Sequence, residues 1–301
     1  MKIQNKNFAR RGAFLLTLGA ASVAALVPDW CTALKAQYYD AGVDLALSLV
    51  SSAPTPLVAG TDVDLLFTVE NHGPNAATRP RVVMSLLGDL WPGATSGCNA
   101  DPVGYPLCFL SDPLAAGSSS DVLLNAHLSP DARGSVQVIG AAVSDDTENL
   151  PGDELAFFES VVIAQTDISS QASCAPPFHR LRPVTCTYTF RNDGPSSSHA
   201  GLSAGLLVRL GATWTCSASR AELCPYISPG SATVYFPQPN WQPGESITLV
   251  ATGIIDSAYD PALVWNAFAY QPSDEVDNDQ SNNWVTNQGE ISLFFSDFEG
   301  R

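Results

Sequence analysis

Asp62-Val63-Asp64-Leu65-Leu66-Phe67-Thr68-Val69-Glu70-Asn71-His72-Gly73-Pro74 is the stretch from which the fold can be read. Val63, Leu65, Phe67 and Val69 fall on alternate positions, against Asp64, Leu66, Thr68 and Glu70. A period of two sends successive side chains to opposite faces of an extended chain, one face toward a core and one toward water. The run stops at Asn-x-Gly-Pro, which is turn chemistry. The same pattern returns 121 residues later, where Val184, Cys186, Tyr188 and Phe190 alternate with Thr185, Thr187, Thr189 and Arg191 and end at Asn192-Asp193-Gly194-Pro195.

The repeat extends in both directions. Gly93-Ala94-Thr95 recurs as Gly211-Ala212-Thr213, Cys98 and Cys108 as Cys216 and Cys224, and Ala116-Gly117 as Pro243-Gly244, at offsets of 118, 118, 116 and 127. Conserved order with small drift marks two homologous units with loop insertions, the last step locating 11 extra residues around Ser228 to Trp241. Val43, Leu45, Leu47 and Leu49 alternate in the same way, as do Val122, Leu124 and Ala126, and Ile247, Leu249 and Ala251. Gly- and Pro-rich turns separate these segments, and no segment past the amino terminus sustains a helical period. Each unit is therefore expected to be an antiparallel β-sandwich. Gly73 and Gly194 are expected to supply a positive φ ahead of the proline.

The charge balance narrows the partners. Of 301 residues, 14 are Lys or Arg and 30 are Asp or Glu. The one long apolar stretch, Gly12 to Val27, follows Lys2, Lys6, Arg10 and Arg11, the layout of an export signal, expected as a helix over residues 1–36. Arg10-Arg11 with Phe14-Leu15 resembles a twin-arginine signal, the Phe falling one residue late; an ordinary secretory signal is the competing reading. Removal of residues 1–36 leaves nine arginines, no lysine and 29 carboxylates. Such a chain has no basic patch for nucleic acid and no polybasic membrane anchor, and no transmembrane segment is expected after cleavage. Six cysteines remain, Cys98, Cys108, Cys174, Cys186, Cys216 and Cys224, an even number that suits an oxidising compartment.

The order Val43-Asp44-Leu45-Ala46-Leu47, Pro54-Thr55-Pro56-Leu57, the Asn71–Pro74 turn, Pro92-Gly93-Ala94-Thr95, Leu114-Ala115-Ala116-Gly117 and Ala141-Ala142-Val143-Ser144-Asp145-Asp146 resembles the bacterial surface repeat of unknown function called DUF11. The second unit matches through Cys186–Ser198, Leu210–Cys224, Gln242–Gly253 and Pro272–Val285. The resemblance covers residues 43 to about 285 and implies tandem immunoglobulin-like sandwiches, over 37–164 and 165–288, with a tail at 289–301. The first unit departs at its end, where Asp146–Asp153 replaces the usual Ser-Asn-Asn and leaves the strand Leu155 to Ile163 the least defined. Six cysteines allow 15 pairings. The repeat favours the local ones, Cys98–Cys108 and Cys216–Cys224, with Cys174–Cys186 tying two strands of the second unit. Each short clip is worth roughly 2.5–3 kcal/mol in the chain-entropy picture. A short linker, Ile163 to Thr166, is expected to limit swing between units. The ending Ile291–Arg301 resembles a short tail found on exported proteins of certain Gram-negative bacteria.

Several constellations invite a chemical reading. Gly201-Leu202-Ser203-Ala204-Gly205 matches a nucleophile elbow, but no histidine follows His199 and the motif falls on an expected strand, so Ser203 is a remote candidate for a serine hydrolase. His72, His127, His179 and His199 are scattered, without the spacing of a zinc site. Acidic turns close both units, at Asp145, Asp146, Glu148, Asp153 and Glu154, and at Asp274, Glu275, Asp277 and Asp279. Asp274, Asp277 and Asp279 are candidate Ca²⁺ ligands, the alternative being a solvated turn. Trp91, Trp214, Trp241, Trp265 and Trp284 are candidates for sugar stacking, against a core role.

The expectation is an all-β protein: two tandem immunoglobulin-like antiparallel sandwiches after an N-terminal signal helix. It is expected to be an exported, non-enzymatic structural, adhesive or interaction module of the cell envelope or exterior. No cofactor is expected apart from Ca²⁺ as an open alternative. The partner is an unspecified protein or surface, and oligomeric state is left open. A Ca²⁺-stiffened spacer and a carbohydrate-binding module are the alternatives.

Overall fold

The structure, a computed structural model, describes residues 42–101, 107–149, 151–208, 211–236, 239–256 and 262–292. The expected signal helix and residues 293–301 lie outside the described residues. Among the described residues the chain is all-β, with only two single-turn 3-10 segments, Ala221–Leu223 and Gln280–Asn282.

Strands are numbered along the chain. In the first half, β1 (Leu45–Ser51), β3 (Asp62–Asn71), β8 (Ser119–Leu128) and β5 (Leu90–Ser96) form an antiparallel sheet in that order. Facing it are β10 (Leu155–Thr166), β9 (Gly134–Val143), β4 (Arg81–Leu87), β7 (Leu107–Phe109) and β6 (Asn99–Ala100), with β2 (Leu57–Val58) running parallel to β10. The second half repeats the plan. One sheet is β11 (Ile168–Cys174), β13 (Pro183–Asn192), β17 (Ser246–Ile254) and β15 (Ala212–Ala218). The other is β12 (Phe178–His179), β20 (Trp284–Ser292), β18 (Ala262–Tyr270), β14 (Gly201–Leu206) and β16 (Thr233–Phe236). The remaining strand, β19 (Glu275–Asp277), pairs with β10 of the first half.

The alternation in the sequence decides which faces meet. Val63, Leu65, Phe67 and Val69 are fully buried with Val122, Leu124 and Ala126, against Val82, Met84, Val136 and Val138 of the opposite sheet. Val184, Cys186, Tyr188 and Phe190 pack with Ile247, Leu249 and Ala251 against Leu202, Leu263 and Trp265. Each large apolar side chain so buried contributes about 1.5–3 kcal/mol. Gly140 lets the sheets approach, since a Cβ there would stand 2.7 Å from the Phe67 ring.

The Asn-x-Gly-Pro turns are built alike in both halves. The buried Asn71 side chain donates to the carbonyls of Asn75 (2.8 Å) and Leu114 (3.0 Å) and accepts from the Gly73 N–H (3.1 Å). Asn192 does the same with Ser196, Trp241 and Gly194. The expected positive φ is corrected here: neither Gly73 nor Gly194 adopts one. Glycine is needed for close approach instead, because a Cβ would meet the Asp44 nitrogen at 2.7 Å or the Thr166 Cα at 2.6 Å. The insertion near residues 228–241 contains β16, which adds to β14 much as β7 adds to β4. Cys98 and Cys108, Cys174 and Cys186, and Cys216 and Cys224 stand at disulfide distance, with Cα–Cα separations of 5.4, 4.1 and 5.8 Å.

Tyr188 ties the second sandwich together. Its hydroxyl donates to the Gly205 carbonyl on the facing sheet at 2.9 Å, and its ring lies 5.4 Å from that of Trp214. Burial pushes the phenol well above its ordinary pKa of 10.0. The folded state holds the proton more tightly, so this contribution to stability is complete below the ordinary value and is lost as pH rises beyond it. Tyr188→Phe is expected to cost about 1–2 kcal/mol at neutral pH and to flatten the alkaline decline, both read by urea unfolding across a pH series.

Candidate functional site

Where the two halves meet, the chain does not pass through a loop. The residues expected as a linker are the end of β10, and the alternation of buried Ala164, Thr166 and Ile168 carries one extended chain into the second sandwich. The open edge of β10 is covered first by β2, through Val162–Leu57 and Ile163–Val58. It is then covered by β19, through Ala164–Glu275, Gln165–Val276 and Thr166–Asp277. Both pairings are parallel, so a strand from the second half completes the sheet of the first.

Glu275 plugs this junction. Its side chain is only 1% exposed, and it is one of two buried acids among the described residues. The Ser198 hydroxyl donates to one carboxylate oxygen at 2.6 Å and the His199 backbone N–H to the other at 2.7 Å. The His199 ring nitrogen stands 3.4 Å away and the Arg133 guanidinium 3.9 Å. A buried carboxylate is tolerated only when paired in this fashion.

The preceding serines stitch the halves directly. The Ser196 hydroxyl donates to the Ala59 carbonyl (2.7 Å) and accepts from the Gln165 N–H (2.9 Å). The Ser197 N–H donates to the Pro130 carbonyl, and Arg133 of the first half donates to the Ser197 carbonyl, each at 2.9 Å. Gly60, at φ +81°, meets Pro195 so closely that a Cβ would fall 1.8 Å from its carbonyl oxygen. At the rim, Asn240 and Gln242 donate to Asp131, both at 3.1 Å. Hydrogen bonding from Ser197 first, then from Asn240 and Gln242, together with the Arg133 charge, outweighs burial and holds the Asp131 carboxyl below its ordinary range. The Ser197 hydroxyl has one proton and also lies 3.0 Å from the Pro130 carbonyl, so the amides are the steadier donors.

The residues singled out in the sequence fall elsewhere. Ser203 sits mid-strand in β14, between Tyr235 and Phe268, not on a strand-to-helix turn. Asp277 and Asp279 come together, but their oxygens accept from groups of their own turn. Asp277 takes the Asp279 N–H (2.8 Å) and the Asn283 amide (2.7 Å), and Asp279 takes the Ser281 N–H (3.1 Å). Asp274 is exposed on the same turn, and no group of three or more His, Cys, Asp or Glu among the described residues is arranged to hold a metal ion. The first acidic turn works likewise: Asp145 pairs with Arg79 and Arg81, and Glu148 accepts from the Leu45 and Asn149 N–H groups. Burial is the leading influence on Glu148 and raises its pKa. His72 pairs with Glu70 and His127 with Asp62, each within its own strand or cross-strand neighbourhood. Trp241 and Trp265 are core residues, whereas Trp91 and Trp284 are exposed.

Sequence reasoning missed the junction. Glu275 lay inside an acidic run, and Ser196–Ser198 replace Asn75-Ala76-Ala77 without an obvious motif. The signal available was the offset of 121, which matches Thr78 with His199: their N–H groups donate to Asp146 and to Glu275, so the recurring element is the acid near the end of each unit.

No family model matches the chain, and no curated protein sequence matches it. The DUF11 resemblance therefore stands on the quoted motifs alone. Among solved structures, the chain is similar to the C-terminal domain of the Streptococcus pyogenes antigen I/II-family protein AspA, at 10% identity and a TM-score of 0.27, over 81% of this chain and 98% of that one. It is also similar to red sea bream transglutaminase, at 11% identity and a TM-score of 0.30, over 83% of this chain and 32% of that one. Likenesses this remote transfer no activity or partner. The expectation of a non-enzymatic chain is corrected to an open one: red sea bream transglutaminase is an enzyme, and at this distance the likeness assigns this chain neither activity nor the lack of one. The physical reason is that a sandwich scaffold does not preclude catalysis, which depends on the side chains grafted onto it.

Glu275→Ala is expected to lower stability by about 2–4 kcal/mol, leaving the Ser198 hydroxyl and His199 N–H without their acceptor, while Glu275→Gln costs less. The variant should also become cleavable by protease near Ile163–Thr166. Since the Asp131 pKa is depressed, its contribution is present above the ordinary value of 3.8 and lost as pH falls through the lower folded value. Protection of the junction amides from hydrogen exchange should decline in that acidic window, and less so in Asp131→Asn.

Proposed function

We infer that the chain is an exported structural or interaction module of the bacterial cell envelope or exterior, in which two sandwiches act as one stiff body. The observation that carries this reading is the junction: a strand shared between halves, an edge strand donated across it, and the buried Glu275 pinning Ser198 and His199. A presenting or spacing module needs a fixed geometry between its parts, and hydrogen-bonded backbone supplies that where a flexible linker would not. Three cysteine pairs at disulfide distance suit an oxidising compartment.

The test is fractionation of cells carrying the tagged full chain, with thiol labelling of each fraction and identification of co-purifying partners. The expected result is protein outside the inner membrane, with Cys98, Cys108, Cys174, Cys186, Cys216 and Cys224 all protected from alkylation until reduced. A chain retained in the cytoplasm with reactive thiols would overturn the reading.

A further inference from the structure

The outer face of the sheet β12-β20-β18-β14-β16 carries aromatic rings where a solvated sheet ordinarily carries polar side chains. Direct cross-strand partners share a face. Tyr235 on β16 pairs with Ser203 on β14, Ser203 with Phe268 on β18, and Phe268 with Trp284 on β20. That is one row crossing four strands, about 14 Å at the usual strand spacing. Tyr270, two residues beyond Phe268, adds a ring with its centroid 6.4 Å from that of Phe268. Tyr235 is 69% exposed, Trp284 58% and Tyr270 56%.

The Gly-x-Ser-x-Gly motif finds its place here. Leu202, Ala204 and Leu206 point into the core, so Gly201, Ser203 and Gly205 form the outer face of β14. Ser203 is only 3% exposed although it points outward, and its neighbours in the row are Tyr235 and Phe268. Glycine and serine on the middle strand place no bulky side chain between the flanking rings. The next row along is polar: Thr233, Gly205, Asn266 and Thr286 are successive cross-strand partners, with Gln288 beyond. Glu290 is the single charged residue in β14, β16, β18 and β20.

We propose that this face binds a neutral hexose polymer. A pyranose ring has an apolar C–H face that stacks on an aromatic ring and a rim of hydroxyls that seeks amides and hydroxyls, so a ring row beside an Asn/Thr/Gln row matches both parts. The near absence of charge disfavours an anionic or cationic polymer. The corresponding face of the first half is different in kind: Val83, Leu87, Leu155 and Val161 are aliphatic, Phe157 is the exposed ring among them, and the cross-strand pair Gln137–Glu159 brings a charge into the middle of the face. The inference rests on the proposed exterior role and names the partner class for it.

The experiment is depletion of the purified, oxidised full chain from solution by microcrystalline cellulose, chitin and an insoluble β-1,3-glucan, with alginate beads as the anionic counterpart. Retention on at least one neutral polymer is expected. Trp284→Ala and Tyr235→Ala should each weaken it about five- to tenfold, and the pair should abolish it. Phe157→Ala, on the other half, should leave it unchanged, with circular dichroism showing each variant folded. The proposal is overturned by retention on alginate alone, by no retention on any neutral polymer, or by retention indifferent to Trp284 and Tyr235. A concentration-dependent dimer lost in Tyr235→Ala would overturn it too, identifying a second copy as the occupant. Because fractionation reads location and thiol state separately, failure here leaves the exterior role standing, and the reverse holds equally.

Discussion

Backbone hydrogen bonding along β10 is the constraint on which the arrangement depends. A strand that leaves one core and enters another must satisfy its amide and carbonyl groups over the whole distance, because unpaired backbone at a protein junction is costly. Here β9 covers one edge in the first half, while β2 and then β19 cover the other. The donated strand brings Glu275 beneath Ser198 and His199, and the meeting of Gly60 with Pro195 leaves no space for a hinge. Covering the edge also removes a template for aggregation, a hazard for any sheet protein.

The acidic character of the chain acquires a structural meaning in this light. Many of its carboxylates are acceptors for backbone N–H groups at turns: Asp146 for Thr78, Glu148 for Leu45, Asp279 for Ser281, Glu275 for His199. Carboxylates in such positions hold turns by charge-assisted hydrogen bonds. The few arginines are placed against them, as Arg79 and Arg81 on Asp145 and Arg220 on Glu245. In Glu245 burial works to raise the pKa, and the hydrogen bonds donated by Arg220 and by the Gln242 N–H, with the Arg220 charge, more than offset it and hold the carboxyl below its ordinary range.

The two halves keep one architecture and differ in what they show to solvent. Equivalent strands, β4 and β14, offer Val83 and Leu87 in one case and Gly201, Ser203 and Gly205 in the other. Substitution on an outer face leaves the core untouched, since alternate positions of a strand are independent in packing. A duplicated module can thus diverge in binding chemistry at little cost to its fold.

Alternation in segments such as Val63–Val69 and Val184–Phe190 determined the sandwich class, and the repeat offsets determined that it occurs twice, because both are periodic properties of the chain. The repeat pointed to Cys98–Cys108 and Cys216–Cys224 for the same reason, while Cys174–Cys186, present in the second unit alone, followed from the turn the two residues flank. The junction and the aromatic face were decided only in three dimensions. Glu275 and Ser198 are 77 residues apart, and Tyr235, Ser203, Phe268 and Trp284 come from four separate strands. Register between strands is set by the packed core and not by any one segment, so no reading along the chain could align them.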